Sequence, residues 1–292
     1  MAGWDDILKE LNETMSQSDY VRRKYLKALS EYTGRNTIAY YSAFLSKPQV
    51  ANLDINDLDM TGFMNALKGM DCSNGLDLIL HTPGGSPAAA EAIINYLRIK
   101  FNYDIRVIVP QMAMSAGTMM ACAAKEIIMG KQSSLGPIDP QFNGIPAYNI
   151  QMEFEEAKRD LAANPENAQY WAIKLQQYPA AFLKTAIDAI QLSGKLVREW
   201  LETGMFKNEN EIATINTIVS RLNEHDDSKT HGRHFNIDFC KGIGLKIVEL
   251  ENDSELQDRV LSVHHAYMLS LGGTDATKII ECQNGKAMIN HA

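Results

Sequence analysis

The sequence predicts an α/β fold with a mostly parallel sheet and additional helices at both its amino- and carboxy-terminal ends. Three observations carry that prediction. From Thr37 to Met129, short apolar runs alternate with segments of helical periodicity, the pattern of a sheet covered by crossover helices. The runs themselves, such as Leu76 to His81 (LDLILH) and Ile105 to Val109 (IRVIV), are nearly continuous in apolar residues. A strand buried on both faces reads that way, whereas a half-exposed strand alternates. Beyond Pro140 the periodicity becomes largely helical.

Each element follows from local signals. Trp4, Ile7, Leu8, Leu11 and Met15 recur at helical spacing, so residues 1–33 are expected to form an amino-terminal helical segment. Its second helix spans Val21 to Glu31 and ends at Thr33-Gly34, where glycine suits a left-handed cap. Residues 34–292 are expected to form the main domain, with a helix-rich carboxy-terminal part. Thr37 to Phe44 (TIAYYSAF) reads as a strand, Leu58 to Met70 as a helix, and Leu76 to His81 as a strand that runs into Thr82-Pro83-Gly84-Gly85. Helix Ala88 to Phe101, strand Ile105 to Val109, helix Ser115 to Lys125 and strand Glu126 to Met129 complete the alternating part. Helices are expected over Ile150–Leu161, Tyr170–Leu192, Lys195–Leu201 and Glu209–Leu222, with Ser193-Gly194 as a break. A strand at Gly244–Leu250, a long helix at Glu255–Leu271 and a hairpin over Ile279–Ile289, turning at Asn284-Gly285, finish the chain.

Composition excludes several function classes. The net charge of −8 argues against nucleic-acid binding, since a phosphate backbone needs cationic surface. No run approaches the ~20 apolar residues of a membrane span, and Asp5 and Asp6 precede any apolar stretch, unlike a signal peptide. Cys72, Cys122, Cys240 and Cys282 are scattered without metal-type pairs and read as reduced thiols of a cytoplasmic protein. No G-x-x-x-x-G-K-[ST] loop occurs, so ATP chemistry is not expected of this chain.

Two short motifs carry the chemistry. His81-Thr82-Pro83-Gly84-Gly85 stands where a buried strand ends, and its paired glycines let backbone N–H groups face a ligand. Met114-Ser115-Ala116-Gly117-Thr118 stands where the next strand ends and a helix opens. Alone, the first is an ordinary turn and the second an ordinary N-cap serine. Together they place a hydroxyl and amide donors at one sheet edge, where open α/β sheets build their sites. A nucleophile beside N–H groups that can hold a tetrahedral oxyanion is the minimum for acyl transfer.

These motifs, with PQMAMSAGTMMA around the serine and Ser133 to Pro140 (SSLGPIDP) after it, resemble the serine dehydrogenase proteinase family. The resemblance extends over Thr33 to Asn36, Glu155 to Lys158 and Leu192 to Leu201, and covers the chain roughly from Tyr25 to Glu281. It implies the Clp/crotonase-like fold shared with signal peptide peptidase A and the Clp proteolytic subunit. It further implies Ser115 as the nucleophile, with an oxyanion hole from the main chain at Gly84, Gly85 and Ala116. A peptide or unfolded protein would be the substrate, no cofactor or metal would be needed, and the chain would assemble as a homo-oligomer.

The general base is less directly marked. In the Clp subunit a histidine follows the strand after the nucleophile helix, but Gly136-Pro137-Ile138-Asp139-Pro140 contains none, and Asp139 lies nearest to that place. The resemblance to lysine-dependent relatives therefore implies Lys158, 43 positions after Ser115, with Lys174 next. A lysine base requires partial burial to bring its pKa down from ~10.4 towards ~7–8. The competing role for Lys158 is a solvated pair with Glu155. Histidine remains open as well: Thr230-His231-Gly232-Arg233-His234 lies in a polar segment that can fold over a site. Its i, i+3 histidines lack the further ligands of a metal centre. His81 is expected to bond backbone at its strand end, and of His264 and His265 one ring is expected to pack and the other to be solvated. Two other readings use the same fold: a crotonase-type acyl-CoA enzyme, which needs no serine, and an inactive scaffold.

Overall fold

The computed structural model describes residues 18–223 and 230–292. The apolar stripe expected between Trp4 and Met15 lies outside the described residues. The elements are α1 (Ser18–Thr33), β1 (Asn36–Ser42), α2 (Asp59–Leu67), β2 (Leu76–His81), α3 (Pro87–Lys100), β3 (Ile105–Val109), β4 (Met112–Ala113), α4 (Ala116–Cys122) and β5 (Glu126–Met129). There follow β6 (Ser134–Leu135), β7 (Gln141–Phe142), β8 (Ile145–Pro146), α5 (Ala147–Ala163), α6 (Ala168–Leu175), α7 (Phe182–Thr203) and α8 (Ile212–Asn223). The chain closes with α9 (Ile237–Gly242), β9 (Ile247–Glu249), α10 (Ser254–Gly273), β10 (Ala276–Cys282) and β11 (Ala287–His291).

Seven strands form the main sheet in the order β11-β10-β1-β2-β3-β5-β9. The strands from β1 to β9 run parallel, and the hairpin β10–β11 adds antiparallel strands beside β1. This is the α/β architecture, with a mostly parallel sheet and extra helices, that the apolar runs predict. Successive side chains leave opposite faces of a strand, and both faces are buried. Ile38, Tyr40, Leu78, Leu80, Val107 and Val109 point to one core, which α3, α4, α7 and α8 cover. Ala39, Tyr41, Ile79 and Ile108 point to the other, which α1 and α10 cover.

Two boundaries depart from the sequence reading. The helix expected over Tyr170–Leu192 is two helices, with a break between Gln176 and Ala181. Pro179 explains it: proline donates no N–H and disfavours helical backbone in the residue before it. Ala181 then takes a left-handed conformation at φ 64°. Conversely, α7 runs straight through Ser193-Gly194. There the small side of the helix lies against Val219 and Asn223 of α8, so packing overrides the weak local preference of glycine. The hairpin turn at Asn284-Gly285 is as expected, with Gly285 at φ 75°.

The parallel register sets the position of the site. β2 and β3 pair in register from Leu76–Ile105 to Ile79–Ile108, so the turns that follow them emerge side by side. Thr82 then bridges Ala113, donating its N–H to the Met112 carbonyl (3.2 Å) and accepting from the Met114 N–H (3.0 Å). The diglycine turn and the serine turn are thereby hydrogen-bonded to one another. Among the described residues, no helix is long and apolar enough to cross a membrane.

Candidate active site

Ser115 is the residue before α4 and has φ 51°, ψ −118°. A non-glycine residue in that region is strained by about 1–3 kcal/mol, and the conformation persists because its neighbours fix it. Gly117 N–H bonds the Met114 carbonyl at 2.8 Å, and Met119 N–H bonds the Ser115 carbonyl at 3.1 Å. Its side chain is not sealed in the core: Ser115 is half-buried and lines a cleft of about 700 Å³. Gly84 and Gly85 line the same cleft.

The glycines are required by close approach. A Cβ on Gly84 would lie 2.5 Å from the Ser115 Cβ and 2.7 Å from the Met114 carbonyl oxygen. A Cβ on Gly85 would lie 2.3 Å from the Ile55 nitrogen. Both also have positive φ, 102° and 150°, which L side chains rarely adopt. The Gly84 N–H is engaged by the buried Thr82 hydroxyl at 3.1 Å. Gly85 forms a parallel bridge with Ile55: the Ile55 N–H bonds Gly84 O (2.7 Å) and the Ser86 N–H bonds Ile55 O (2.8 Å). In such a bridge the middle residue's own N–H points away from its partner. Among the described residues, the N–H groups of Gly85 and Ala116 have no acceptor, and the Ala116 nitrogen lies 3.1 Å from where a Gly84 Cβ would be.

His231 lines this cleft too. Its Nδ1 lies 2.8 Å from Asp139 Oδ1, and the carboxylate is fully buried while the imidazole is about one-third exposed. A ring nitrogen facing a carboxylate donates to it, so in the neutral ring Nε2 is the acceptor. The segment is anchored just after the ring. Phe235 pairs antiparallel with Leu135 of β6, and His234 Nδ1 lies 2.8 Å from the Ser134 hydroxyl. The His–Asp pair joins residues 92 positions apart, beyond the reach of any local motif. The polarity of the 230–234 segment was its only signal in the sequence.

The lysines lie elsewhere. Lys158, on α5, does not line the cleft; its side chain is 66% exposed and its ammonium bonds Glu155 at 2.7 Å. Lys174 bonds Glu153 at 2.6 Å and lies over the Trp171 ring. The structure therefore brings Ser115, Gly84, Gly85 and Ala116 together, and does not bring Lys158 to them. His81 also differs from expectation: among the described residues, neither of its buried ring nitrogens has a partner. It packs against Tyr41, Phe44 and His264, and burial pushes its pKa down to about 3. His264 is buried, bonded to the Tyr41 hydroxyl, and also held well below the usual histidine range by burial and by His81. His265 is half-buried rather than solvated. No group of three or more possible metal ligands occurs among the described residues.

Comparison with known proteins places this site in context. Two uncharacterized proteins of Methanocaldococcus jannaschii are similar: one is 40% identical over 104 residues, or 36% of each chain. The other is 47% identical over 75 residues, 26% of this chain and 25% of that one. The match thus spans about a third or less of these curated relatives. Among solved structures, a substituted form of the 1510-N membrane-bound stomatin-specific protease aligns at TM-score 0.37 and 16% identity, covering 70% of this chain and 79% of that one. The family model described as ClpP-like SDH-type serine proteinase matches residues 11–166, more than half of the sequence and the stretch that holds Ser115, Gly84, Gly85 and Asp139; the chain belongs to that family.

Proposed function

We propose that this protein is a serine peptidase that cleaves peptide bonds through an acyl-enzyme on Ser115. The observation that carries the reading is a cleft lined together by half-buried Ser115, by the diglycine turn with its free Gly85 amide, and by the carboxylate-held imidazole of His231. In this reading the Ser115 oxygen attacks the scissile carbonyl. The N–H groups of Gly85 and Ala116 hold the oxyanion, each worth about 2.7–4 kcal/mol in the transition state. His231 Nε2 takes the serine proton and returns it to the leaving amine, and Asp139 fixes the tautomer and stabilises the imidazolium. Water then attacks the acyl-enzyme by the reverse proton path.

We assign the base to His231 rather than Lys158. A lysine acts as a base at neutral pH only when burial lowers its pKa, and Lys158 is exposed and paired with an acid. Turnover is expected to need no ATP, and the substrate to be a peptide or unfolded segment that can enter a cleft of this size. Cytoplasmic residence is the expectation carried by the scattered cysteines and the lack of a long apolar run, and homo-oligomeric assembly is the expectation of the family resemblance, which light scattering on the purified chain tests.

A fluorophosphonate probe and peptide turnover test the assignment. Wild type and Lys158→Ala should label and turn over alike. Ser115→Ala should do neither, and His231→Ala should lose about a thousandfold or more in kcat. Failure of folded wild-type protein to label, with binding of acyl-CoA, would support the crotonase-type chemistry instead. Equal turnover in all four proteins would remove the site.

A further inference from the structure

The segment that holds Gly85 is itself held by a buried ionic cluster that takes no part in the chemistry above. Lys278 of β10 and Asp59 of α2 are buried to within 1% of full burial, and pair at 2.8 Å. The Lys278 ammonium also donates to the Asp54 carbonyl at 2.6 Å. Asp59 accepts from the Tyr40 hydroxyl at 2.8 Å and from the Asn56 N–H at 3.0 Å. Both ends of the Asp54–Asn56 turn are therefore tied to the cluster. Between them, Ile55 bonds Gly84 and Ser86, one on each side of Gly85. The Tyr40 phenol also faces the Thr82 hydroxyl, which holds the Gly84 N–H.

We propose that Lys278, Asp59 and Tyr40 are positioning residues that clamp the Asp54–Asn56 turn and, through Ile55, aim the Gly85 amide at the oxygen developing on the substrate. A buried ion pair is weak as a source of stability, since desolvation offsets much of its attraction. Its strength here is geometric. Two paired charges that satisfy three further polar groups at once leave the turn one arrangement, and preorganised donors are effective because they need not reorganise during reaction. A donor displaced by a fraction of an ångström still permits substrate binding and fails mainly in the transition state. The inference rests on the peptidase reading for the meaning of the Gly85 amide, but the clamp itself is measurable without it.

Tyr40→Phe removes one hydroxyl and leaves both charges paired; Asp59→Asn with Lys278→Met removes the charges together, so neither is left buried alone. For a peptide ester, Tyr40→Phe should lower kcat about tenfold and the double variant about a hundredfold, with KM within about twofold of wild type. Affinity for a peptide boronic acid, whose adduct presents a tetrahedral oxygen, should fall with kcat, while affinity for the unreactive peptide stays unchanged. The Ser86 amide, bonded to Ile55, should exchange its hydrogen faster in both variants. Folded variants with kcat, boronate affinity and Ser86 exchange all as in wild type would overturn the proposal. Wild-type protein that never labels at Ser115 would instead remove the peptidase reading, leaving the clamp to be judged by Ser86 exchange alone. Tyr40→Phe keeps the ion pair intact, so it reports even where the double variant does not fold.

Discussion

A Cβ on Gly84 would stand 2.5 Å from the Ser115 Cβ. Gly84→Ala therefore forces two penalties of the same sign: a methyl against Ser115 and Met114, and an L side chain at φ 102°. We expect about 1–3 kcal/mol lower stability in urea unfolding and roughly a hundredfold lower kcat, because displacing a reacting atom by about 1 Å costs that much. A folded Gly84→Ala protein with unchanged turnover would show that the serine turn does not depend on this contact. Gly84 and Ser115 were legible in the sequence because each stands in a motif where strand ends and turn chemistry coincide. Asp139 and His231 were not legible as a pair. Asp139 sits in a segment where the resemblance to the Clp subunit implied a histidine, and its partner arrives from beyond α8, a contact that no local periodicity encodes.

Helix α4 has only seven residues, too short to fix its own start, so the serine turn depends on what anchors the helix. Thr118 supplies the anchor. Its buried hydroxyl donates to the Ala113 carbonyl at 2.8 Å and accepts from the Gly136 N–H at 2.9 Å. One side chain thus ties the helix to the end of β4 and to the loop that leads to Asp139. Thr118→Val keeps the shape but leaves a buried carbonyl and a buried N–H without partners, at a cost of about 1–3 kcal/mol for each. Urea unfolding should register at least the lower figure; a midpoint shift smaller than experimental scatter would mean that the loop relaxes to find other partners. At this scale the sequence was informative where packing and propensity agree. β2, β3 and β5 have the bounds that their apolar runs indicate. It misled in α6 and α7, where Pro179 breaks a continuous helical periodicity and packing against α8 carries a glycine through a helix.

Across the molecule, both faces of the sheet are closed by helices, and the side covered by α1 and α10 buries charge-capable groups. His81 and His264 are the clearest case, because both are neutral when folded and both are held far below 6.5 by burial. The sign follows from linkage. Above pH 6.5 neither state binds a proton there, and stability is independent of these rings. As pH falls below 6.5 the unfolded chain takes up protons that the folded chain refuses until about pH 3 for His81, so stability is lost across that window. At pH 5.5 each ring contributes a loss on the order of 1 kcal/mol. Unfolding free energy measured between pH 7.5 and 5 should therefore fall with decreasing pH. His81→Phe, which suits an aromatic cluster of Tyr41, Phe44 and His264, should reduce that slope by about half and raise stability by removing two unpartnered nitrogens. A slope that is the same in His81→Phe would place the pH sensitivity on other groups. Because His81 directly precedes the Thr82 bridge, the same substitution shows whether the turn needs an imidazole: if it does not, Ser115 labelling at neutral pH stays at the wild-type rate while the stability profile flattens.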